Sequence, residues 1–286
     1  MIPGSFAYHR PKTISEAAAL LANLGDEARP LAGGHSLIPM MKLRMALPQH
    51  IVDLGGIADL KDIRQDADRI VIGALTTQAE LIASELLTAR LPILRETALL
   101  IADPQVRYCG TLGGNVANGD PGNDMPAVMM ALGASYEVAG ERRQRSIPAR
   151  TFYHGAYDTA LEAGEILTGI SIPIPPAGHG YAYEKLKRKI GDYATAAAAV
   201  VLTMKDGVVT SCTIGLTNVG ETALFAETAA QITIGTSLDA ATLSRATAAA
   251  EAITSPAADG RGSAAYRTKM AGVMVKRALQ RAASRI

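Results

Sequence analysis

The stretch Arg29-Pro30-Leu31-Ala32-Gly33-Gly34-His35-Ser36-Leu37-Ile38-Pro39 sets the reading of this 286-residue chain. Arg29 to Ala32 reads as a short strand, Gly33 and Gly34 make a turn, and helical spacing resumes over Leu37 to Arg44, with Pro39 tolerated in the first turn. Glycines let main-chain N–H groups come close to a ligand, and a helix N-terminus is partly positive. A strand-turn-helix of this kind therefore suits an anion, and a cofactor pyrophosphate is its natural guest. Standing alone, the same residues would equally fit a tight turn in which Ser36 is only an N-cap.

They do not stand alone. Thr111-Leu112-Gly113-Gly114-Asn115 repeats the Gly-Gly pair and runs on through Gly119-Asp120-Pro121-Gly122-Asn123-Asp124. Neither copy fits G-x-G-x-x-G or G-x-x-x-x-G-K-[ST], so a Rossmann site and a P-loop are both disfavoured, and loops without a P-loop lysine are expected to grip the phosphates.

Outward from these motifs the chain reads as α+β. Thr13-Ile14-Ser15-Glu16 predicts a capping box at the head of a helix that runs to Leu24 and stops at Gly25. His50 to Leu54 predicts a strand, and Asp66-Ala67-Asp68 a hairpin turn returning through Arg69 to Ala74. Thr77 and Glu80 predict a second capping box, with helices over Thr77 to Ser84 and Pro92 to Ile101. From Asp103 to Asp124 the dominance of Gly, Asn, Asp and Pro predicts one long functional loop. A Met-rich helix to Leu132 and strands at Ser135 to Val138 and Ile166 to Ile174 follow.

Pro173, Pro175, Pro176, Gly178 and Gly180 mark a boundary, giving domains of residues 1–177 and 178–286. The second opens with a Tyr181-Ala182-Tyr183 strand, continues through Ala194 to Thr203, turns at Asp206-Gly207 and returns over Val208 to Leu216. It ends in a helix, Ala264 to Ser284, with Tyr266, Met270, Val273, Val275 and Leu279 as core-facing candidates.

Composition narrows the function. With 48% hydrophobic and 19% charged residues the chain is an ordinary globular protein, and a net charge of +1 spread along it argues against nucleic acid. The Met1-Ile2-Pro3-Gly4-Ser5 start lacks a secretory signal, and the longest apolar run, Ala194 to Met204, is too short for a bilayer, so a cytoplasmic protein is expected. The two cysteines, Cys109 and Cys212, lie far apart without metal-site spacing; they read as buried thiols, and any iron-sulfur cluster belongs to another chain. No metal site is predicted here.

No nucleophile-base grouping emerges from spacing, so no catalytic residue is assigned. His35 reads as a structural or cofactor contact. Asp120 and Asp124 can accept hydrogen bonds from sugar hydroxyls, although Asp124 also suits a helix cap. Lys185, Lys187, Arg188 and Lys189 read mostly as a solvated strand face, with one lysine free to face the cofactor. By composition Tyr193 reads as core, and the Met40-Met41 and Met129-Met130 pairs as core filling.

The two Gly-Gly motifs, together with Lys185-Leu186-Lys187-Arg188-Lys189-Ile190-Gly191-Asp192-Tyr193-Ala194, resemble the FAD-binding medium subunit of the molybdenum hydroxylases over essentially the whole chain. Overall likeness is greatest to the branch that oxidises carbon monoxide. The resemblance implies a vanillyl-alcohol-oxidase-like (PCMH-type) FAD-binding domain of two α+β subdomains, about 1–55 and 56–177. A C-terminal domain with a three-stranded antiparallel sheet and helices would follow.

It further implies that Ala32, Gly33, Gly34, His35 and Ser36 with Thr111, Leu112, Gly113, Gly114 and Asn115 hold the FAD pyrophosphate, and that Asp124 binds its hydroxyl-bearing chain. Lys185 would lie near the flavin and Tyr193 against its ring, with Ile101 and Leu167 lining the pocket. The implied role is an electron relay. A large molybdenum subunit oxidises the substrate and a small [2Fe-2S] subunit passes electrons to FAD here, in a dimer of heterotrimers at the inner face of the cytoplasmic membrane. A flavin subunit for an N-heterocycle or aromatic substrate, a free-standing FAD reductase or oxidase, and a cofactor-free interaction module are the alternatives.

Overall fold

Three layers of sheet and helix, described for residues 2–286 in a computed structural model, converge on the two Gly-Gly motifs. In the first, β1 (Ala7–His9), α1 (Ile14–Leu24), β2 (Ala28–Leu31), α2 (Leu37–Lys42) and β3 (His50–Asp53) form a parallel sheet in the order β1-β3-β2. Parallel neighbours need crossovers, and α2 supplies the one from β2 to β3, while β1 reaches the far-edge strand β2 through α1. Thr13 caps it by accepting from the Glu16 N–H at 3.1 Å, but the Glu16 carboxylate accepts from Lys12 N at 2.8 Å, so the expected reciprocal box is displaced by one residue. Ala17 and Leu21 of α1 pack with Val52, Leu54 and Ile57, all buried.

The second layer begins with the predicted hairpin, β4 (Ile63–Asp66) and β5 (Arg69–Gly73). Then come α3 (Gln78–Ala83), α4 (Glu85–Arg90), α5 (Pro92–Ala98), α6 (Pro104–Cys109), α7 (Leu112–Ala117), α8 (Met125–Leu132), β6 (Ser135–Ala139), β7 (Gln144–Pro148), β8 (Tyr153–Gly155), β9 (Asp158–Thr159) and β10 (Ile166–Pro173). The antiparallel sheet runs β4-β5-β10-β6-β7, with β10 at its centre. The Thr77 and Glu80 capping box is complete.

Three expectations are corrected here. The segment 103–124 is not one long loop, because Asp103 caps α6 through the Val106 N–H and Thr111 caps α7 through the Gly114 N–H. Glycine content hid α7, whose first turn contains both glycines of the second motif. Ser84 starts α4, which the composition did not announce, and α5 ends at Ala98 rather than Ile101. Finally, Cys109 is exposed, at the end of α6, whereas Cys212 is buried as expected.

The third layer comprises β11 (Gly180–Leu186), β12 (Ala196–Lys205), β13 (Val208–Thr217) and a two-residue β14 (Leu224–Phe225). They form an antiparallel sheet in that order, followed by α9 (Glu227–Thr233), α10 (Ala240–Ala252) and α11 (Ala264–Ala283). The three long strands are those expected, with β14 added at the edge. Strand β12 is buried on both faces, which explains its apolar run: Ala197 and Ala199 join the core of the second layer, while Ala196, Ala198, Val200 and Leu202 join the core under α10 and α11.

Small residues set these distances. A Cβ on Gly215 of β13 would overlap the Ala127 carbonyl of α8, and one on Gly180 would overlap the Ala282 carbonyl of α11. Of the predicted apolar face of α11, Val275 and Leu279 are buried and Met270 and Val273 pack beside them, but Tyr266 is exposed.

Candidate functional site

The two motifs meet at one point. A Cβ on Gly33 would overlap the Cys109 carbonyl and lie 2.8 Å from Gly110 Cα, so this glycine lets β2 and its turn seat directly on the junction between α6 and α7. Gly113 does the same for α7: a Cβ there would lie 2.5 Å from Ala74 O, at the end of β5, and the Gly113 N–H donates to that oxygen at 2.9 Å. The missing side chains of these two glycines thus bring chain segments together, a different reason for glycine from close approach to a phosphate.

The main-chain donors of the two motifs also differ. Among the described residues nothing accepts from the N–H groups of Gly33, Gly34, His35 or Ser36, and Gly34 sits at φ +74°, a left-handed conformation that turns successive amides toward one side. In the second motif, by contrast, Leu112 N donates to Thr76 O at 2.8 Å, Gly113 N to Ala74 O, and Gly114 N to Thr111 Oγ at 3.0 Å. Open amide donors are therefore concentrated in the first motif.

A cavity of about 570 Å³ runs between the motifs, within the size range of sites for small molecules and cofactors. Ala32 to Ser36, Thr111, Gly113, Gly114 and Asn115 line it, as do Ile101, Asp124, Leu167, Lys185 and Tyr193. Leu112 does not: its side chain is fully buried in the core and its N–H is taken. His35 is exposed at the rim.

At one end of the cavity a charged group has been assembled from two layers. Lys185 Nζ on β11 lies 2.7 Å from Asp124 Oδ2, and the Tyr183 hydroxyl donates to Asp124 Oδ1 at 2.5 Å. The lysine and carboxylate side chains are only 1% and 6% exposed, so within the basic run Lys185 is the lysine turned inward to the cavity rather than part of the solvated face. Asp124 is the N-terminal flanking residue of α8, but its side chain does not cap; both oxygens are held by β11. Burial pushes the Asp124 carboxyl up, against the opposing pull of Lys185 and Tyr183. Burial and the neighbouring Asp124 carboxylate hold Tyr183 well above the usual phenol range, so it remains a hydrogen-bond donor. A carboxylate has about four lone-pair positions, leaving Asp124 room to accept from a ligand hydroxyl.

Tyr193 is 43% exposed, which overturns its reading as core. Its ring lies over Gly122, where any Cβ would come within 2.7 Å of Tyr193 Cδ1, and its hydroxyl donates to Asp120 Oδ2 at 3.3 Å. Met40 is only partly buried and also lines the cavity, unlike Met41, Met129 and Met130.

Sequence does not announce two residues that shape the site: Tyr183, buried behind Asp124, and Gln78, on the cavity wall. Tyr183 was read only as a strand residue; nothing in its spacing reveals that its hydroxyl meets Asp124, 59 positions away. Gln78, in the first turn of α3, is 2% exposed, and neither atom of its carboxamide has a partner. Burying such a group unpaired costs about 1–3 kcal/mol.

The residues fit an anionic, hydroxyl-bearing cofactor: open amides beside a left-handed glycine, a partly free buried carboxylate and an exposed aromatic face. Among the described residues, no cluster of His, Cys, Asp and Glu could hold a metal ion, and no helix is long and apolar enough to cross a membrane.

Comparison with known proteins agrees with this geometry. Residues 4–175 match the FAD binding domain in molybdopterin dehydrogenase, and residues 181–282 the CO dehydrogenase flavoprotein C-terminal domain. The carbon monoxide dehydrogenase medium chain of Afipia carboxidovorans is 65% identical over 285 residues, covering 100% of this chain and 99% of that one. Caffeine dehydrogenase subunit beta of a Pseudomonas species is 33% identical, covering 100% and 97%. Among solved structures, a cyanide-inactivated Cu,Mo-CO dehydrogenase chain superposes with a TM-score of 0.99 at 65% identity, with 100% of both chains covered. Quinoline 2-oxidoreductase from Pseudomonas putida 86 gives 0.94 at 34% identity over 99% of each.

Proposed function

The chain belongs to the FAD-binding medium subunits of the molybdopterin dehydrogenases, and from that premise we propose that it is the flavin subunit of a carbon monoxide dehydrogenase. One observation carries the cofactor site: a single cavity gathers both Gly-Gly motifs with the buried Asp124–Lys185 pair. The substrate is carried by relatedness, since identity falls from 65% to the carbon monoxide enzyme's medium chain to 33% for the caffeine enzyme's subunit.

When bound, FAD supplies the redox chemistry, taking electrons from one carrier and yielding them to another. The chain's own residues hold and orient. The open amides of Gly33 to Ser36 face the pyrophosphate, while Thr111, Gly113, Gly114 and Asn115 form the opposite wall. Asp124 accepts from a hydroxyl of the cofactor's chain, and Lys185 pairs with its other oxygen and fixes its orientation. Ile101 and Leu167 would exclude water, and Tyr193 would offer its exposed ring to the flavin. No residue of this chain would touch carbon monoxide; a large molybdenum subunit would oxidise it to CO2, and a small [2Fe-2S] subunit would feed electrons here for an external acceptor. The assembly would be a dimer of heterotrimers in the cytoplasm, at the inner membrane face. Within the chain, we take residues 1–177 as the FAD-binding domain, in subdomains of about 1–55 and 56–177, and 178–286 as the C-terminal domain.

The absorption spectrum of the purified complex tests the relay. Anaerobic carbon monoxide should bleach the flavin band near neutral pH. Bleaching by an N-heterocycle but not by carbon monoxide would overturn the substrate, and absence of flavin from the complex would overturn the site.

A further inference from the structure

We propose that Gln78 is a direct ligand of FAD, gripping the cofactor near its pyrophosphate. The proposal rests on the reading that the cavity holds FAD. The Gln78 N–H donates to Gly110 O at 2.9 Å, and its neighbour Thr77 bridges to Thr111. Gly110 is also the residue against which Gly33 seats, so Gln78 is tied to the point where the two motifs come together. Gln78 is one of the residues that line the cavity.

The local structure gives it no other task. Thr77 and Glu80 cap α3 completely without it, and an apolar residue of similar size would fill the same volume. Several other polar side chains of the wall are engaged: Thr111 with Gly114, Asn115 with Met125, Asp124 with Tyr183 and Lys185; His35, Ser36 and Asn118 make no side-chain hydrogen bond, but none of them is buried. Among the described residues, Gln78 alone has a buried carboxamide with both ends unpaired. A buried amide left in that state is unfavourable unless a ligand or ordered water completes it. Its two kinds of free atom match what lies beside a dinucleotide's pyrophosphate: Nε2 donates to a phosphate oxygen, and Oε1 accepts from an adjacent ribityl or ribose hydroxyl.

The test uses the intact complex carrying Gln78→Leu or Gln78→Glu, stripped of FAD and titrated with it, with the melting temperature of the FAD-free form read in parallel. Gln78→Leu should weaken FAD binding about tenfold or more while leaving the FAD-free melting temperature unchanged or higher, because an unpaired buried amide has been removed. Gln78→Glu should weaken binding further by setting a carboxylate beside the phosphates. Wild-type affinity in Gln78→Leu would overturn the proposal and leave a buried water as the partner. A fall in FAD-free melting temperature with unchanged affinity would likewise assign Gln78 to the core. If the wild-type complex itself takes up no FAD, the cavity assignment fails first, and that result is distinct from failure of the Gln78 variants alone.

Discussion

The Asp124–Lys185–Tyr183 group shows how much depends on single side chains. Removing one partner of a buried ion pair leaves the other charge unpaired, which costs about 3–5 kcal/mol. Lys185→Met should therefore both destabilise the protein and lower FAD retention. Adding Asp124→Asn should recover part of the stability but none of the retention, because the negative charge and one of the two acceptor oxygens are lost and Tyr183 competes for the oxygen that remains. Thermal melts and flavin-to-protein ratios of the two single variants and the double variant check this; full additivity would contradict the coupling. A second carboxylate behaves differently. Glu165, its side chain 4% exposed, is held below the usual carboxylate range chiefly by hydrogen bonds from Arg145. A lowered folded-state value stabilises the protein above the unfolded value near pH 4.3 and is lost as pH falls through the folded one. Glu165→Gln should thus cost about 2 kcal/mol at pH 7, with the gap to wild type closing below about pH 4 in denaturation curves.

At the scale of elements, the two glycine motifs are alike in sequence and different in physics. Both were legible as Gly-Gly pairs beside small and polar residues, and nearly every side chain placed at the cofactor by motif does line the cavity. What sequence could not show is that Gly33 and Gly113 face other backbone, since a glycine names no neighbour. Nor could it show that 103–124 folds into two short helices, because six-residue helices lie below the length at which periodicity is informative. Gly113→Ala should push α7 off the end of β5 and destabilise the protein by about 1–3 kcal/mol even without FAD, as overpacking does. Gly34→Ala, strained at φ +74° and crowding only the flexible side chains of Ile38 and Leu31, should cost less stability relative to its effect on FAD affinity. Melting of FAD-free protein and FAD titration separate the two; equal effects on both would show that the motifs share one role.

Across the whole molecule, the strand order was readable where turns are local, as at Asp66-Ala67-Asp68 and Asp206-Gly207, and not where distant segments pair. The central place of β10, between β5 and β6, has no local sequence signal. The sharpest instance is Glu96 of α5. Its carboxylate accepts from Tyr183 N on β11 at 2.7 Å and from Arg285 at 2.7 Å, and pairs with Arg281 at 2.8 Å, locking the C-terminal helix and the outer strand to the FAD-binding part. Glu96→Ala should loosen β11, and with it Lys185 and Tyr183, so that the flavin is lost more readily in dialysis while α8 stays folded, which hydrogen exchange resolves. Tyr183 is therefore gripped from both sides, by Glu96 through its main chain and by Asp124 through its hydroxyl. The cofactor pocket is consequently a seam between halves of the chain, and occupancy there is a form of intramolecular glue. Heated with saturating FAD, the protein should melt in one calorimetric peak, and stripped of it the peak should broaden or split, so that the flavin acts as a reporter of whether the two halves move as one body.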